Sequence, residues 1–190
     1  MARQQAGRHF TNLANGMSVN KISDFSRVNQ RLLQAKFLLQ QTRQLSQDLL
    51  PPLHQDAMIN AVLMHFELAL IFYLREIASS SRLKMAYQIS SIDQLQTEMA
   101  AQSSHSQSVD ELVELKANRS SWLSLLLGAI RNLSSSTPPQ PEAKAFSNNE
   151  NQIPLVQIED EPEIDVDQLE IFLREIMLLI QRQRLVLAEF

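Results

Sequence analysis

The residues that could perform chemistry in this sequence are few and widely spaced. The chain has no cysteine, which removes disulfides, thiolate metal sites and cysteine nucleophiles. Three of its four histidines fall in polar segments, and His65 lies two residues before Glu67 within an apolar stretch. On a helix these two side chains point about 200° apart, so they cannot hold one ion together. We therefore expect His65 to be a packed or interface histidine, and we expect no metal and no cofactor.

The motifs of phosphate-binding, di-iron and nuclease sites are missing from the sequence. Gly128 is the only glycine after residue 16, which leaves no glycine-rich phosphate loop, and no Glu-x-x-His pair of the di-iron bundles is present. Helical-bundle ribonucleases of toxin–antitoxin systems use an arginine and a nearby histidine by the last helix. The nearest match here, Arg3 to His9, lies in the polar N-terminal tail. Trp122 has the spacing of a core residue rather than of a base-stacking platform. Because none of these motifs is present at a suitable position, we predict no catalytic residue.

Five polar residues on the apolar stretch 57–79 are the remaining candidates for a site. They are Asn60, Glu67, Tyr73, Arg75 and Glu76. A cleft that gathers two or more of them around Tyr73 would favour a small enzyme or a nucleic-acid-binding bundle. Dispersed and solvated positions would favour a non-catalytic protein. We expect Glu67 to pair with a basic residue of the first helix or to reach solvent beside Tyr73, because an unpaired acid is costly to bury.

The stretch 57–79 is the most apolar run of the chain, and its spacing predicts a central helix. Residues 57–74 reach the lower length limit of a membrane span, but the polar residues among them favour a buried helix and no membrane partner. The other side of the helix is apolar too, so we expect cover on more than one side. One stripe carries seven core candidates: Ile59, Val62, Leu63, Phe66, Leu70, Tyr73 and Ile77.

The opposite stripe, Ala61, Met64, Leu68 and Ile71, is called the back stripe below. A simple bundle would leave it facing water, so it needs a partner. The candidates are residues 82–101, the apolar island 153–158, or the same stripe of a second chain in a twofold dimer. Methionine and alanine would allow close and adaptable packing there. The sequence therefore supports a homodimer as well as it supports an internal cover.

The other helices follow from spacing and caps. The first should span residues 23–50, capped by Ser23 or Asp24 and stopped by two prolines, and should form an antiparallel hairpin with the central helix. The capping box 91–94 predicts a short helix to about residue 99. The capping box 108–111 predicts a long helix to residue 133, with a weak spot at 118–121 where Ser120 could start a second piece. Asp165 should cap the last helix, which spans about residues 163–190.

These elements predict an all-α fold, a four-helix up-and-down bundle with a short extra helix and a long linker before the last helix. Residues 1–21 read as a disordered extension, with Met17 as a candidate natural start, and residues 22–133 as the bundle core of three long helices. Residues 134–162 read as a flexible linker containing the apolar island, and residues 163–190 as the helix that completes the bundle. The net charge is −4, with a basic N-terminal part and an acidic C-terminal part. We expect these two parts to face each other.

Several segments together resemble a family of small, uncharacterised all-helical proteins from gamma-proteobacteria, a domain of unknown function. The segments are RVNQR (27–31), HFELA (65–69), REIA (75–78), ELVEL (111–115) and SWL (121–123). The resemblance covers about residues 23–133 and, more loosely, the last helix. It implies a cytoplasmic bacterial protein, and it brings no activity, cofactor or functional residue.

The sequence alone thus leaves the function unknown. We favour a non-catalytic helical bundle in the cytoplasm that acts through contact with another protein, including itself. The alternative is a small enzyme or a nucleic-acid-binding bundle whose polar site lies on the central helix. The mild net charge gives no sign of a nucleic-acid partner.

Overall fold

A computed structural model describes residues 22–45, 51–134 and 164–188 of the chain, and every regular element in these ranges is helical. The prediction of an all-α fold is confirmed. The expectations for the N-terminal extension, for most of the linker and for the apolar island lie outside the described residues. The α-helices are α1 (Asp24–Leu45), α2 (Pro52–Ser80), α3 (Ile92–Ala101), α4 (Gln107–Ala117), α5 (Trp122–Ser134) and α6 (Val166–Ala188), with a 3₁₀ turn at Ala86–Gln88.

Helix α2 is the centre of the structure, as the apolar run predicts. It packs against α1, α3, α5 and α6. Val62, Phe66 and Tyr73 of its main stripe are fully buried. A helix that is apolar nearly all round is stable only when neighbours remove several of its faces from water, and four neighbours do so here.

Helices α1 and α2 form the predicted antiparallel hairpin. The side chain of Arg27, near the start of α1, lies over the ring of Phe72 in the C-terminal half of α2. The Ser23 hydroxyl accepts a hydrogen bond from the Ser26 backbone at 3.2 Å, so Ser23 is the cap of α1. Helix α2 begins at Pro52, five residues before the predicted start, because proline fits the first turn of a helix.

Helix α2 ends in a tight turn through Arg82, whose φ of 58° is left-handed. The Leu83 backbone N–H donates to the carbonyl of Ala78 at 2.9 Å, which closes the helix end. The short helix α3 then begins where the sequence predicts it. The Ser91 hydroxyl accepts from the Gln94 backbone N–H at 3.2 Å, which confirms Ser91 as its cap.

The predicted helix from residue 108 to 133 is two helices, and both of its expected start signals need correction. Helix α4 begins at Gln107, so Ser108 is a buried residue inside the first turn and not a cap. The chain breaks at the predicted weak spot, but the cap of α5 is Ser121 rather than Ser120. The Ser121 hydroxyl accepts from the Ser124 backbone N–H at 3.1 Å and donates back to the carbonyl of Leu115.

Helix α6 closes the core against α1, α2 and α5. Asp165 caps it as predicted, with its carboxylate 2.7 Å from the Gln168 backbone nitrogen. The predicted pairing of the basic and acidic parts is also present. The guanidinium of Arg43 on α1 contacts the carboxylate of Glu170 at 2.7 Å and that of Asp167 at 3.5 Å. The inward apolar positions of α6 are buried as expected: Leu169, Phe172, Leu173, Ile176, Leu179 and Ile180.

One helix of the described residues, Leu53–Ser80, is long and apolar enough to cross a membrane by length and composition alone. The most apolar 18-residue window of this helix has a mean hydropathy of 1.8, and 44% of that window is buried inside the fold. The core helix of a globular protein passes the same test, and α2 has four packed neighbours.

Candidate functional site

A polar junction joins α2, α4 and α6 inside the fold, and Gln183 is its centre. This side chain is only 3% exposed. Its amide oxygen accepts a hydrogen bond from the hydroxyl of Tyr73. Its amide nitrogen donates to the carboxylate of Glu111 at 2.7 Å and to the backbone carbonyl of Ser108 at 3.3 Å. Every polar atom of the Gln183 side chain therefore has a protein partner, as buried polar groups require.

A second part of the junction joins α2, α6 and α1. The guanidinium of Arg184 makes a two-pronged contact with the carboxylate of Glu76, at 2.8 and 2.6 Å. Arg184 also donates to the side chain of Asn29 at 2.9 Å and stacks on the ring of Phe25, 4.0 Å from its centroid. Both charged side chains are less than one fifth exposed. The paired geometry is strong and directional, so it fixes α6 against the hairpin.

The electrostatics of the junction keep Tyr73 neutral. Burial raises the pKa of the Tyr73 hydroxyl well above its usual value, and the nearby carboxylate of Glu76 raises it further. The hydroxyl therefore stays protonated at neutral pH and acts as a hydrogen-bond donor. The amide of Gln183 and the carboxylate of Glu76 are also hydrogen-bonded within the protein, so these contacts hold the helices of the junction together.

The structure brings together only two of the five polar residues proposed from the sequence. Tyr73 and Glu76 face this junction, whereas Asn60 is exposed. Arg75 faces away from it, donating to the carbonyl of Ile89 at 2.9 Å. Glu67 lines a cavity toward α4 and α5, and the described residues contain no ion pair between it and a base of α1. The first of the two alternatives for Glu67, pairing with a base of α1, is therefore not seen, and the side chain is partly exposed.

Sequence reasoning missed Gln183, Glu111 and Arg184 as members of the junction. A signal for Gln183 was present, because it follows Ile176 by seven residues and Ile180 by three, which places it on the apolar face of α6. A polar side chain at such a position needs a buried partner. The partner itself, Tyr73, is 110 positions away and could not be read from spacing.

His65 packs against α1. It lines a shallow groove with Leu33, Phe37 and Leu38, and its Nδ1 is buried with no hydrogen-bond partner among the described residues. Burial lowers the pKa of His65, and the nearby positive charge of Arg31 lowers it further. Among the described residues no group of three histidine, aspartate or glutamate side chains is placed to bind a metal ion.

The back stripe is less open than the sequence suggests. Met64 is 58% exposed, but Ala61, Leu68 and Ile71 are only partly exposed. The start of α3 meets the stripe at one end, where Ile71 and Ile92 line the same cavity. One of the two internal covers considered, the segment 82–101, therefore shields part of the back stripe.

Another apolar opening, which we call the α1–α6 cleft, lies between α1 and α6. Leu32 and Ile180 form its base, and Phe25, Met177 and Leu185 form its largely exposed walls. The cleft has a volume of about 360 Å³. The sequence did not reveal it, because its walls come from helices more than 100 residues apart.

Comparison with known proteins gives a family and no activity. No curated protein and no solved structure matches the chain. A family model described as a family of unknown function (DUF6586) matches residues 22–190, which includes every described helix. The resemblance to a helical domain of unknown function is confirmed at that level, and the chain belongs to the DUF6586 family.

Proposed function

We propose that this protein acts through non-catalytic contact between protein surfaces, and that its first partner is a second copy of itself. The observation that carries the proposal is the α1–α6 cleft. Three large apolar side chains, Phe25, Met177 and Leu185, stand around one opening and are each more than 40% exposed. Single exposed apolar residues are common, but clustered ones mark contact sites.

The charges of the cleft favour a second copy over a charged partner. Two copies of one face repel each other when that face carries an unpaired charge. The only charged side chain among the residues that line this cleft is Arg184, and Glu76 already neutralises it. The face is therefore apolar and close to neutral, which suits an isologous twofold contact.

The back stripe is the second candidate interface. Its open part is centred on Met64, which projects from α2 on another side of the molecule. We rank it below the cleft because α3 shields one end of the stripe. In this ranking the dimer interface lies at the cleft, and Ala61, Leu68 and Ile71 are not part of it.

Three methionines of different faces give a matched test. Met177 in the cleft and Met85 outside it are exposed to almost the same extent, 45% and 43%, and Met64 marks the back stripe. Sedimentation velocity should show a wild-type dimer, a monomer for Met177→Glu, and unchanged dimers for Met85→Glu and Met64→Glu. Circular dichroism checks that each variant is folded.

Two results would contradict this assignment. A wild-type protein that stays monomeric up to about 100 μM, well above the dissociation constant of a stable dimer, would contradict self-association. A monomer produced by Met64→Glu alone would move the interface from the cleft to the back stripe.

The alternative function, a small enzyme or nucleic-acid-binding bundle with its site on the central helix, has less support. Tyr73 and Glu76 do meet, but their polar atoms are engaged with Gln183 and Arg184 inside the fold. The same proposal places the protein in the bacterial cytoplasm. It also describes the fold as a four-helix up-and-down bundle, in which α4 and α5 together form the third helix. The absence of cysteine is compatible with a reducing compartment.

A further inference from the structure

A separate cavity of about 320 Å³ lies between α2, α4 and α5, beside the start of α3. Its volume is within the range of about 300–1,000 Å³ that small-molecule sites occupy. Most of the surface inside it is apolar, as in such sites. Seven side chains form the apolar walls: Leu70, Ile71, Leu74, Ile92, Leu112, Leu127 and Ile130.

The polar groups that line the cavity are of two kinds. Lys116 is already paired, with its ammonium 2.5 Å from both carboxylate oxygens of Asp93. The hydroxyl of Ser90 donates to the side chain of Gln94 at 3.1 Å, and that of Ser91 caps α3. These groups are satisfied within the protein and need no ligand.

Glu67 and Arg131 are the second kind. Both line the same cavity, one from α2 and one from α5. Neither has an ion pair or a hydrogen bond from its side chain to another described residue. The cavity thus offers an apolar interior with one negative and one positive group that are free to bind a ligand.

We propose that this cavity binds a small aliphatic zwitterion, whose ammonium group meets Glu67 and whose carboxylate meets Arg131. A hydrophobic amino acid has this chemistry. A simple fatty acid would leave Glu67 without a partner, and a simple alkylamine would leave Arg131 without one, so each would match only one of the two groups. A molecule with both charges satisfies both groups, while its chain fills the apolar walls.

Three probes with the same chain length separate these cases: 2-aminooctanoate, octanoate and octylamine. Methyl NMR of isoleucine-labelled full-length protein gives both affinity and location. We expect the methyl groups of Ile71, Ile92 and Ile130 to shift with 2-aminooctanoate, while that of Ile176, buried in α6, stays unchanged. The zwitterion should bind more tightly than either singly charged probe.

Charge-removing variants test the two contacts separately. Glu67→Gln and Arg131→Gln should each weaken 2-aminooctanoate binding by a factor of about two to five, the range of a partly exposed ion pair. Arg119→Gln is the matched control, because Arg119 is an exposed arginine outside the cavity. Glu67→Gln should not weaken octanoate binding, which a merely structural role of Glu67 would not predict.

The proposal is overturned by any of three results. The first is no shift of the three cavity isoleucines with any probe at millimolar concentration. The second is octanoate or octylamine binding at least as tightly as 2-aminooctanoate. The third is an Arg131→Gln variant that binds the zwitterion as well as the Arg119→Gln control.

Discussion

Gln183 is a buried polar residue among the apolar residues of the inner face of α6, and its hydrogen-bond partners explain why the fold tolerates it. An unpartnered amide in a core costs several kcal/mol, roughly 1–3 by protein mutational data. Here Tyr73, Ser108 and Glu111 supply partners from two other helices. A satisfied polar group of this kind favours one packing arrangement, because sliding α6 along its neighbours would break all three contacts.

Tyr73→Phe tests the junction at the level of one atom. The change removes only the hydroxyl and leaves the amide oxygen of Gln183 buried without a donor. We expect the free energy of unfolding to fall by about 1–3 kcal/mol, the usual cost of an unsatisfied buried acceptor. Urea denaturation measures it. Tyr87→Phe, at an exposed tyrosine, is the control and should change stability little.

The same pair of variants has a signature in the pH dependence of stability. An unfolded tyrosine loses its proton near pH 10, whereas burial raises the pKa of Tyr73 well above that value. The folded protein then keeps a proton that the unfolded chain releases, so stability falls as the pH rises above about 10 and is unaffected below it. The slope approaches about 1.4 kcal/mol per pH unit.

Tyr73→Phe lacks this loss, so the difference between wild type and Tyr73→Phe should narrow between pH 9 and 11. Tyr87→Phe, measured over the same range, controls for the loss of one tyrosine hydroxyl at an exposed position. A difference that stays constant with pH would show that Tyr73 titrates at the same pH in the folded and unfolded states, contrary to its burial.

At the scale of elements, local sequence predicted helices well and their ends less well. Ser23, Ser91 and Asp165 are caps in the structure as in the sequence, since each precedes a clear apolar period. Ser108 has the same spacing signal but is buried under α6, where its carbonyl receives Gln183. Contact with α6 determines where α4 begins, and the local sequence pattern carries no information about that contact.

Two neighbouring serines let the break between α4 and α5 be tested directly. Ser121 bonds both the end of α4 and the first turn of α5, whereas Ser120 only contacts Asn118 on the surface. We expect Ser121→Ala to lower the free energy of unfolding by about 0.5–2 kcal/mol, and Ser120→Ala to have a much smaller effect. Thermal unfolding of the two variants decides between them. Equal losses would mean that Ser121 does not act as the cap.

The whole molecule depends on α6, although a long stretch of sequence separates α6 from the rest. Leu169, Phe172 and Ile176 are fully buried, and Glu76 and Arg184 add a paired contact to α2. Apolar periodicity predicted the inward face of α6, and the charge distribution predicted its contact with Arg43. Neither could predict the α1–α6 cleft or the cavity beside Glu67, because both depend on how far apart the helices stand.

Cutting the chain before α6 should leave a complex rather than two separate fragments. A specific protease site inserted after residue 140 allows one cut in the native protein. We expect α6 to co-elute with the larger fragment on gel filtration, because its buried side chains and its ion pairs remain in place. Glu76→Gln is the comparison, since it removes one anchor and should make the cut complex dissociate more readily. If α6 separates completely from the larger fragment in both the Glu76→Gln variant and the parent protein, then α6 adds little to the stability of the core.

The late position of α6 in the chain has a consequence during synthesis. Helices α1 and α2 are made first, but roughly 85 residues separate the end of α2 from the start of α6. At about 5–20 residues per second, ribosomes need on the order of 4–17 s to make that stretch. For those seconds the nascent hairpin exposes the surface that Leu169 and Phe172 later cover. Chaperone binding, or the wrong pairing of two unfinished chains, competes with correct folding in that interval.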